Sequence, residues 1–524
     1  MNNKKRFIFN GLLLTAVSLL IRGVGVSFNA YISNKIGAEA MGLFTLISTV
    51  YGFAITFATS GINLAATRLV SEALDVVETN GIGFSSQKND TVRRVMRKCV
   101  SYALLFSSAA FVALFFGADT IGVFILNDKR AVPSLKLLAL TLPCISVSSA
   151  LGGYFNAVRR VYKNALTQIC EQAVKITVCT LLLSFIFADS AESGCICIVI
   201  GSTVAEIASF LLHALLYLLE KKHTENTKPV NDKYIRHKLL SVALPVAFSA
   251  YIRSALISIE HILIPRGLEQ SGASRERALA AYGTLHSMVF PIVFFPSAIL
   301  SSFSSLLIPE VTRVKSAQKE RRLDEIINTV FDTAILFSIG CAGIMIFFSF
   351  EIGNVIYPQT DAGLYIKMIA PLIPIMYIDT SVDAILKGLG EQVYSMGVNI
   401  VDSLLSVILV IILLPRYGIT GYIITVYFTE FINASLSMTR LLSVTSFKPY
   451  VIKSVIKPLA CVICASFIIK YLSETLRISY PSGAVGLTAR ITFASLIYAG
   501  LLILSGSLKV NKKSKKNLEI RDDL

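Results

Sequence analysis

The sequence predicts an all-α polytopic membrane protein of about fourteen transmembrane helices: two parallel-repeat six-helix bundles followed by two C-terminal helices. Three observations carry this expectation. The 524-residue chain is 54% hydrophobic and only 16% charged, with a mean hydropathy of +0.67; a water-soluble chain of this length needs far more charge on its surface. Apolar runs of about 20 residues, the length that crosses a bilayer, recur from end to end. Two stretches of the chain also resemble one another at a fixed displacement, the mark of a duplicated bundle.

Hydropathy places the spans at roughly 7–34, 43–66, 99–126, 134–157, 164–188, 195–219, 239–263, 281–308, 327–350, 363–386, 394–414, 418–439, 450–472 and 485–507. Asp119 and Asn127 blur the exit of the third. The opening MNNKKR and its apolar continuation have the outline of a signal peptide. The run is too long for one, contains Arg22 and lacks a small-residue cleavage site, so it reads as a retained first span. This layout divides the chain into an N-lobe over 1–222, a linker over 223–238 and a C-lobe over 239–443. A helix pair over 444–508 and a basic tail over 509–524 follow.

Basic residues set the expected orientation. With a cytoplasmic N-terminus, about 34 of the 49 Lys and Arg residues fall on cytoplasmic segments, about 10 on outer ones and about 5 within spans. VRRVMRK, RRVYK, TRVKSAQKERR and KVNKKSKK belong to the first group, while the outer loops ADSAES and EIGNVIYPQTDA are nearly bare. A multi-pass protein of the plasma membrane with both termini in the cytoplasm is expected. The net charge of +16 is then a topology signal; a nucleic-acid partner is not expected, because the charge is scattered over many short loops. The nine cysteines lie mostly in apolar runs and imply no disulfide framework; Cys461 and Cys464, a C-x-x-C pair, read as buried small hydrophobes on a helix.

The internal repeat is the most informative feature. LLALTLPCISVSSALGGYFNAVRRVYKNALTQICEQAVKI (137–176) aligns with MIAPLIPIMYIDTSVDAILKGLGEQVYSMGVNIVDSLLSV (368–407), setting Pro143 on Pro374 and Glu171 on Asp402. AEIASFLLHALLYL (205–218) aligns with TEFINASLSMTRLL (429–442), setting Glu206 on Glu430. Arg22 of the first span has its counterpart in Arg253 of the seventh. Equivalent spans run in the same direction, since six helices separate them, and parallel repeats of this kind are a transporter architecture.

Ionisable residues inside a bilayer are costly and normally face an interior or a wet cavity. Arg22 and Arg253 therefore read as cations lining a central cleft, where a guanidinium stays charged and its fork matches phosphate oxygens. The competing reading is a structural salt bridge for each. Glu171, Asp402, Glu206 and Glu430 either bind a coupling cation or relay protons, or else hold the arginines as counter-charges. Glu260, two helical turns beyond Arg253, reads as a gate or a partner. Asp379 and Asp383, four residues apart, are a formal acid pair without accompanying reaction machinery.

No catalytic residue, metal site or cofactor is expected. The chain contains no G-x-x-x-x-G-K-[ST] nucleotide loop, and its five histidines (213, 223, 237, 261, 286) lack ligand spacing. A coupling ion, sodium or proton, remains the open requirement. A membrane-embedded glycan polymerase or ligase would need catalytic groups on a large outer loop, and the outer loops are short.

NKIGAEAMGLFTL, SGINLAATRLVSEA, LGGYFNAVRR…ICEQAVKI and DAILKGLGEQ resemble the polysaccharide-exporter branch of the multidrug/oligosaccharidyl-lipid/polysaccharide superfamily. Within that branch the likeness is greatest to stage V sporulation members, with lipid II flippases and multidrug exporters more distant. The resemblance covers Phe7 to about Leu504. It implies two six-helix lobes around a cationic cavity, two added helices forming a lipid-tail groove, and alternating access. The implied cargo is an undecaprenyl-pyrophosphate-linked sugar, a lipid II-type peptidoglycan precursor or related unit, moved from the inner to the outer leaflet. In sporulation relatives that cargo serves the spore cortex. Membrane lipids are the other implied partner, and a monomer is expected. By position Arg22 and Arg253 match cavity arginines, and Arg68 matches the Arg of an S-R-L-V-x-E-like segment that here reads ATRLVSEA, with Thr67 replacing Ser. Clear counterparts of further cavity arginines are not present, which leaves the sugar-lipid unspecified. A cation-coupled multidrug antiporter of the same superfamily is the alternative, although a doubly basic cleft is a poor host for cationic drugs.

Overall fold

In lipid, an apolar chain can satisfy its backbone within one segment only as a helix. The computed structural model is accordingly helical, with no strand among the described residues. Those residues are 3–79, 85–185, 190–220, 232–318, 320–358, 360–446, 451–475 and 483–507. The tail 509–524 and residues 223–231 of the linker lie outside them.

The helices are α1 (Asn3–Thr59), α2 (Ile62–Thr79), α3 (Ser85–Thr120), α4 (Ala131–Ala139), α5 (Leu142–Ala157) and α6 (Val161–Phe185). They continue with α7 (Ala191–Glu220), α8 (Asp232–Gln270), α9 (Arg275–Gly283), α10 (Phe290–Phe294), α11 (Ser297–Ser316) and α12 (Glu320–Phe347). The last are α13 (Ser349–Ile356), α14 (Ala362–Ile369), α15 (Ile373–Gly388), α16 (Gln392–Val444), α17 (Val451–Thr475) and α18 (Ala484–Leu504). Wider π-helical turns occur at Ile121–Ile125 and Thr284–Val289.

Among the described residues nine helical stretches are long and apolar enough to cross a membrane, ten if α4 and α5, bent by 44°, count as one span. The class expected from composition is therefore what forms: an all-helical, multi-pass membrane protein. Two stretches, Leu19–Leu74 and Gln392–Val444, hold 56 and 53 residues, more than twice the ~20 that a bilayer needs. Each breaks at a glycine in the left-handed region, Gly37 (φ 82°) and Gly418 (φ 57°). The second hydropathy span, 43–66, is interrupted at Ser60–Gly61, where both residues take positive φ.

Helix punctuation recurs along the chain. Ala131 and Ala362 open α4 and α14, Leu142 and Ile373 open α5 and α15, and Val161 and Gln392 open α6 and α16. The members of each pair are separated by the same displacement that sets Pro143 on Pro374 in the sequence repeat. The turn before the last pair is left-handed at Arg159 (φ 58°) and at Gly390 (φ 81°), again at that displacement. Pro143 and Pro374 occupy the first turns of α5 and α15, where a missing N–H is harmless.

The chain forms two compact units, residues 1–291 with 396–429 and residues 292–395 with 430–524. In the first, Ile62, Val70, Met96, Cys99, Leu151 and Ala243 belong to one core that joins α2, α3, α5 and α8. There α1 and α9 approach with no side chain between them. A methyl group on Gly42 would overlap the Leu279 carbonyl, and one on Gly283 would overlap the Ala38 carbonyl. In the second unit, Val311, Ile327, Phe331, Ile385, Leu386 and Val462 join α11, α12, α15 and α17. Phe116, Phe185, Phe431 and Phe467 are exposed, as expected of surfaces that meet acyl chains rather than water.

Candidate functional site

Arg253, Glu260 and His261 lie on α8, and the seven-residue step from Arg253 to Glu260 returns to nearly the same helix face. Opposite them, α16 presents Asp402 and Ser406, one turn apart. The Ser406 hydroxyl donates to Glu260 at 2.6 Å. Asp402 lies in the electrostatic field of Arg253, and Glu260 in that of Asp402. Oδ1 of Asp402 is buried and accepts no hydrogen bond among the described residues. The structure thus brings together three residues singled out in the sequence, Arg253, Asp402 and Glu260, within one unit.

A second group forms on the packed pair α6 and α7. Ser209 lies beside Glu171, and Glu206 sits in the field of both Glu171 and Lys175. Tyr51 and Cys144 lie close enough to feel Glu206. Two interior carboxylates and one lysine share this pocket of charge.

The remaining candidates are placed differently. Arg22 is exposed on α1 and Arg253 on α8, and neither makes an ion pair among the described residues. Arg68, 61% exposed along its side chain, pairs at 3.1 Å with Glu72, which Lys238 also holds at 2.5 Å. Glu430 belongs to the second unit. In that unit Asp379 accepts from Asn433 at 3.5 Å, while Asp383 accepts from Lys387 at 2.5 Å and from Ser395. The formal acid pair therefore turns toward different partners. Cys461 is buried beside Ser505, whereas Cys464 is exposed, so the C-x-x-C thiols sit in different surroundings.

Sequence reasoning missed an ionic cluster in the first unit. Arg130 donates to Asp128 and to Glu39, each at 2.8 Å. Arg275 donates to Glu269 at 2.5 Å and approaches Asp128 at 3.8 Å. The Arg266 guanidinium donates to the carbonyls of Phe124 and Ile125 at 2.7 and 2.6 Å, capping the π-helical turn that follows α3. Hydrogen bonding to Asp128 pushes the pKa of Arg130 still higher. No local spacing announces this cluster, because its members come from residue 39, residues 124–130 and residues 266–275.

Long apolar helices with charged side chains held between them define a multi-pass membrane protein. The chain belongs to the family described as polysaccharide biosynthesis protein, whose model matches residues 8–315, and thereby to the multidrug/oligosaccharidyl-lipid/polysaccharide superfamily. The MatE family model matches residues 272–412. Stage V sporulation protein B of Bacillus subtilis (strain 168) is 27% identical over 526 residues, covering 97% of this chain and 96% of that one. Lipid II flippase MurJ of the same organism is 21% identical over 439 residues, 79% and 78% of the two chains.

Among solved structures, lipid II flippase MurJ in an inward closed conformation superposes with a TM-score of 0.70 at 16% identity, over 94% of this chain and 99% of that one. An inward-facing multidrug resistance MATE family transporter gives 0.61 at 12% identity, over 82% and 95%. These likenesses establish a MurJ- and MATE-like fold.

Proposed function

We propose that the protein is a flippase that moves an undecaprenyl-pyrophosphate-linked sugar from the inner to the outer leaflet by alternating access. The observation that carries this reading is the pair Arg22 and Arg253, cations on apolar helices without a salt-bridge partner among the described residues. An unpaired guanidinium in such surroundings is costly unless an anion meets it, and a diphosphate matches its fork. The full-length similarity to stage V sporulation protein B and the MurJ-like fold support a lipid-linked glycan as the cargo. Helix punctuation recurring at one fixed displacement supports two six-helix halves within a fourteen-span chain.

In this reading both termini are cytoplasmic, and the Asp128–Arg275 cluster marks the outer end. The final helix pair, α17 and α18, forms the groove for the prenyl tail. The carboxylate groups of Glu171 with Glu206 and of Asp402 with Glu260 couple transport to an ion. Moving one charge through 100 mV supplies about 2.3 kcal/mol. Replacing Arg22 or Arg253 by Ala, with protein level held constant, should sharply reduce lipid-linked sugar reaching the outer leaflet. Undiminished transport in both variants would overturn the proposal.

The MatE match over residues 272–412 favours a second reading, a cation-coupled multidrug antiporter. Drug-resistance profiling of an expressing strain separates the two: a resistance phenotype that survives loss of both arginines belongs to the antiporter.

A further inference from the structure

His261 and His286 belong to separate helical segments, yet their ring centroids lie 4.5 Å apart in the first unit. His261 sits on α8, and His286 on the π-helical turn Thr284–Val289. Such turns are rare and recur at functional sites, because the extra residue re-aims a side chain. Nδ1 of His261 shares a 2.7 Å hydrogen bond with the hydroxyl of fully buried Tyr282. The His286 ring lies 4.8 Å from Tyr282 and 5.5 Å from Tyr422, and its Nε2 is buried without a hydrogen-bond partner among the described residues.

The charged surroundings are few. Glu260, next to His261 in sequence, lies in electrostatic range of both Tyr282 and Tyr422. Beyond it stand Asp402 and then Arg253. A buried imidazole nitrogen with no partner is expensive to maintain, which is understandable if it gains one in another protonation state.

We infer that His261 and His286 form a proton-binding site. The donor set argues for a proton over a metal cation. Hard cations such as sodium seek several oxygen ligands, whereas the facing groups here are two imidazoles. Two facing imidazoles can share one proton and resist a second, because two cations so close in a dry interior repel.

The site adjoins a seam between α1 and the π-helical turn. Ser287, the residue after His286, accepts through its carbonyl a hydrogen bond from Asn29, and its hydroxyl bonds to Thr45. Loading the imidazole pair places a cation beside that seam and loosens it. This inference rests on the ion-coupled transport proposed above and names the ion.

The test needs no substrate. Full-length protein in lipid nanodiscs is followed by hydrogen–deuterium exchange, corrected for intrinsic rates, on segments 38–49 and 284–289. Between about pH 8 and pH 4, a range that extends below that of an exposed imidazole, exchange in both segments should rise about threefold or more. His286→Gln should abolish the rise. His261→Asn, which keeps an acceptor for Tyr282, should abolish it too and guards against a variant that merely misfolds. Arg22→Ala should retain the response.

An unchanged wild-type profile, a response that persists in both histidine variants, or an equal response to added sodium at constant pH would each overturn the inference. Because exchange is read without cargo, failure here is separate from failure of the flippase reading, which the arginine variants test.

Discussion

Arg275 and Leu126 stand 149 residues apart in the chain, yet the guanidinium of one donates a 2.7 Å hydrogen bond to the carbonyl of the other. The same side chain reaches Glu269 and approaches the buried carboxylate of Asp128. It therefore ties the turn after α3 to the α8–α9 connection.

Removing that guanidinium leaves Asp128 with less compensation and the Leu126 carbonyl without its donor. Arg275→Ala is expected to destabilise the protein by about 2–3 kcal/mol. Arg275→Lys should recover only part, because an ammonium cannot span carbonyl and carboxylate in the same fork. Thermal unfolding in detergent, monitored by dye labelling of the newly exposed cysteines, checks both; equal midpoints for all three proteins would refute the tie.

Transport should distinguish charge from shape at Arg253. Arg253→Ala is expected to lower lipid-linked sugar transport about tenfold or more, equivalent to about 1.4 kcal/mol. Arg253→Lys should retain an intermediate rate, since the charge persists while bidentate recognition of a phosphate is lost. If Lys transports as well as Arg, fork geometry plays no part.

The hydroxyl of Ser406 is the donor that the structure gives Glu260. Ser406→Ala should lower stability by about 1–3 kcal/mol, the penalty for a buried acceptor deprived of its partner. In a Glu260→Gln background the same substitution should lose most of that effect, since an amide is far cheaper to bury than a carboxylate. A double-mutant cycle on thermal unfolding reads the difference, and additive effects would show that the two side chains do not interact.

The matched left-handed turns make opposite predictions. Gly390→Ala meets no atom within 4 Å of its new methyl, so its cost is confined to the backbone, about 1–2 kcal/mol at φ 81°. Arg159→Gly relieves the same kind of strain at φ 58° and should leave stability unchanged or raise it by up to about 1 kcal/mol. Circular dichroism melts of both variants supply the comparison.

The helical membrane class was legible because hydropathy is additive along the chain: about twenty apolar residues in a row make a span whatever they later touch. The breaks before Pro143 and Pro374 were not read from the sequence, whose expected spans 134–157 and 363–386 run through both prolines, although a proline acts on its own backbone. Nor was the interruption at Ser60–Gly61, because a serine and a glycine sit in many intact membrane helices. Grouping of charge was legible only in part. Arg253 and Glu260 share a face by periodicity, but the arrival of Ser406 beside Glu260 depends on how α8 meets α16. Arg68 shows the converse: a familiar motif surrounds it, and its ion-pair partner is Glu72, which Lys238 also holds. The two histidines escaped notice because ligand spacing within one helix says nothing about rings that meet from separate helical segments.

Where Gly42 of α1 crosses Gly283 of α9, bare backbone rests on bare backbone. An interior packed this closely has no slack to take up extra volume. A single added methyl group at either glycine would wedge the two helices apart without touching any charged residue.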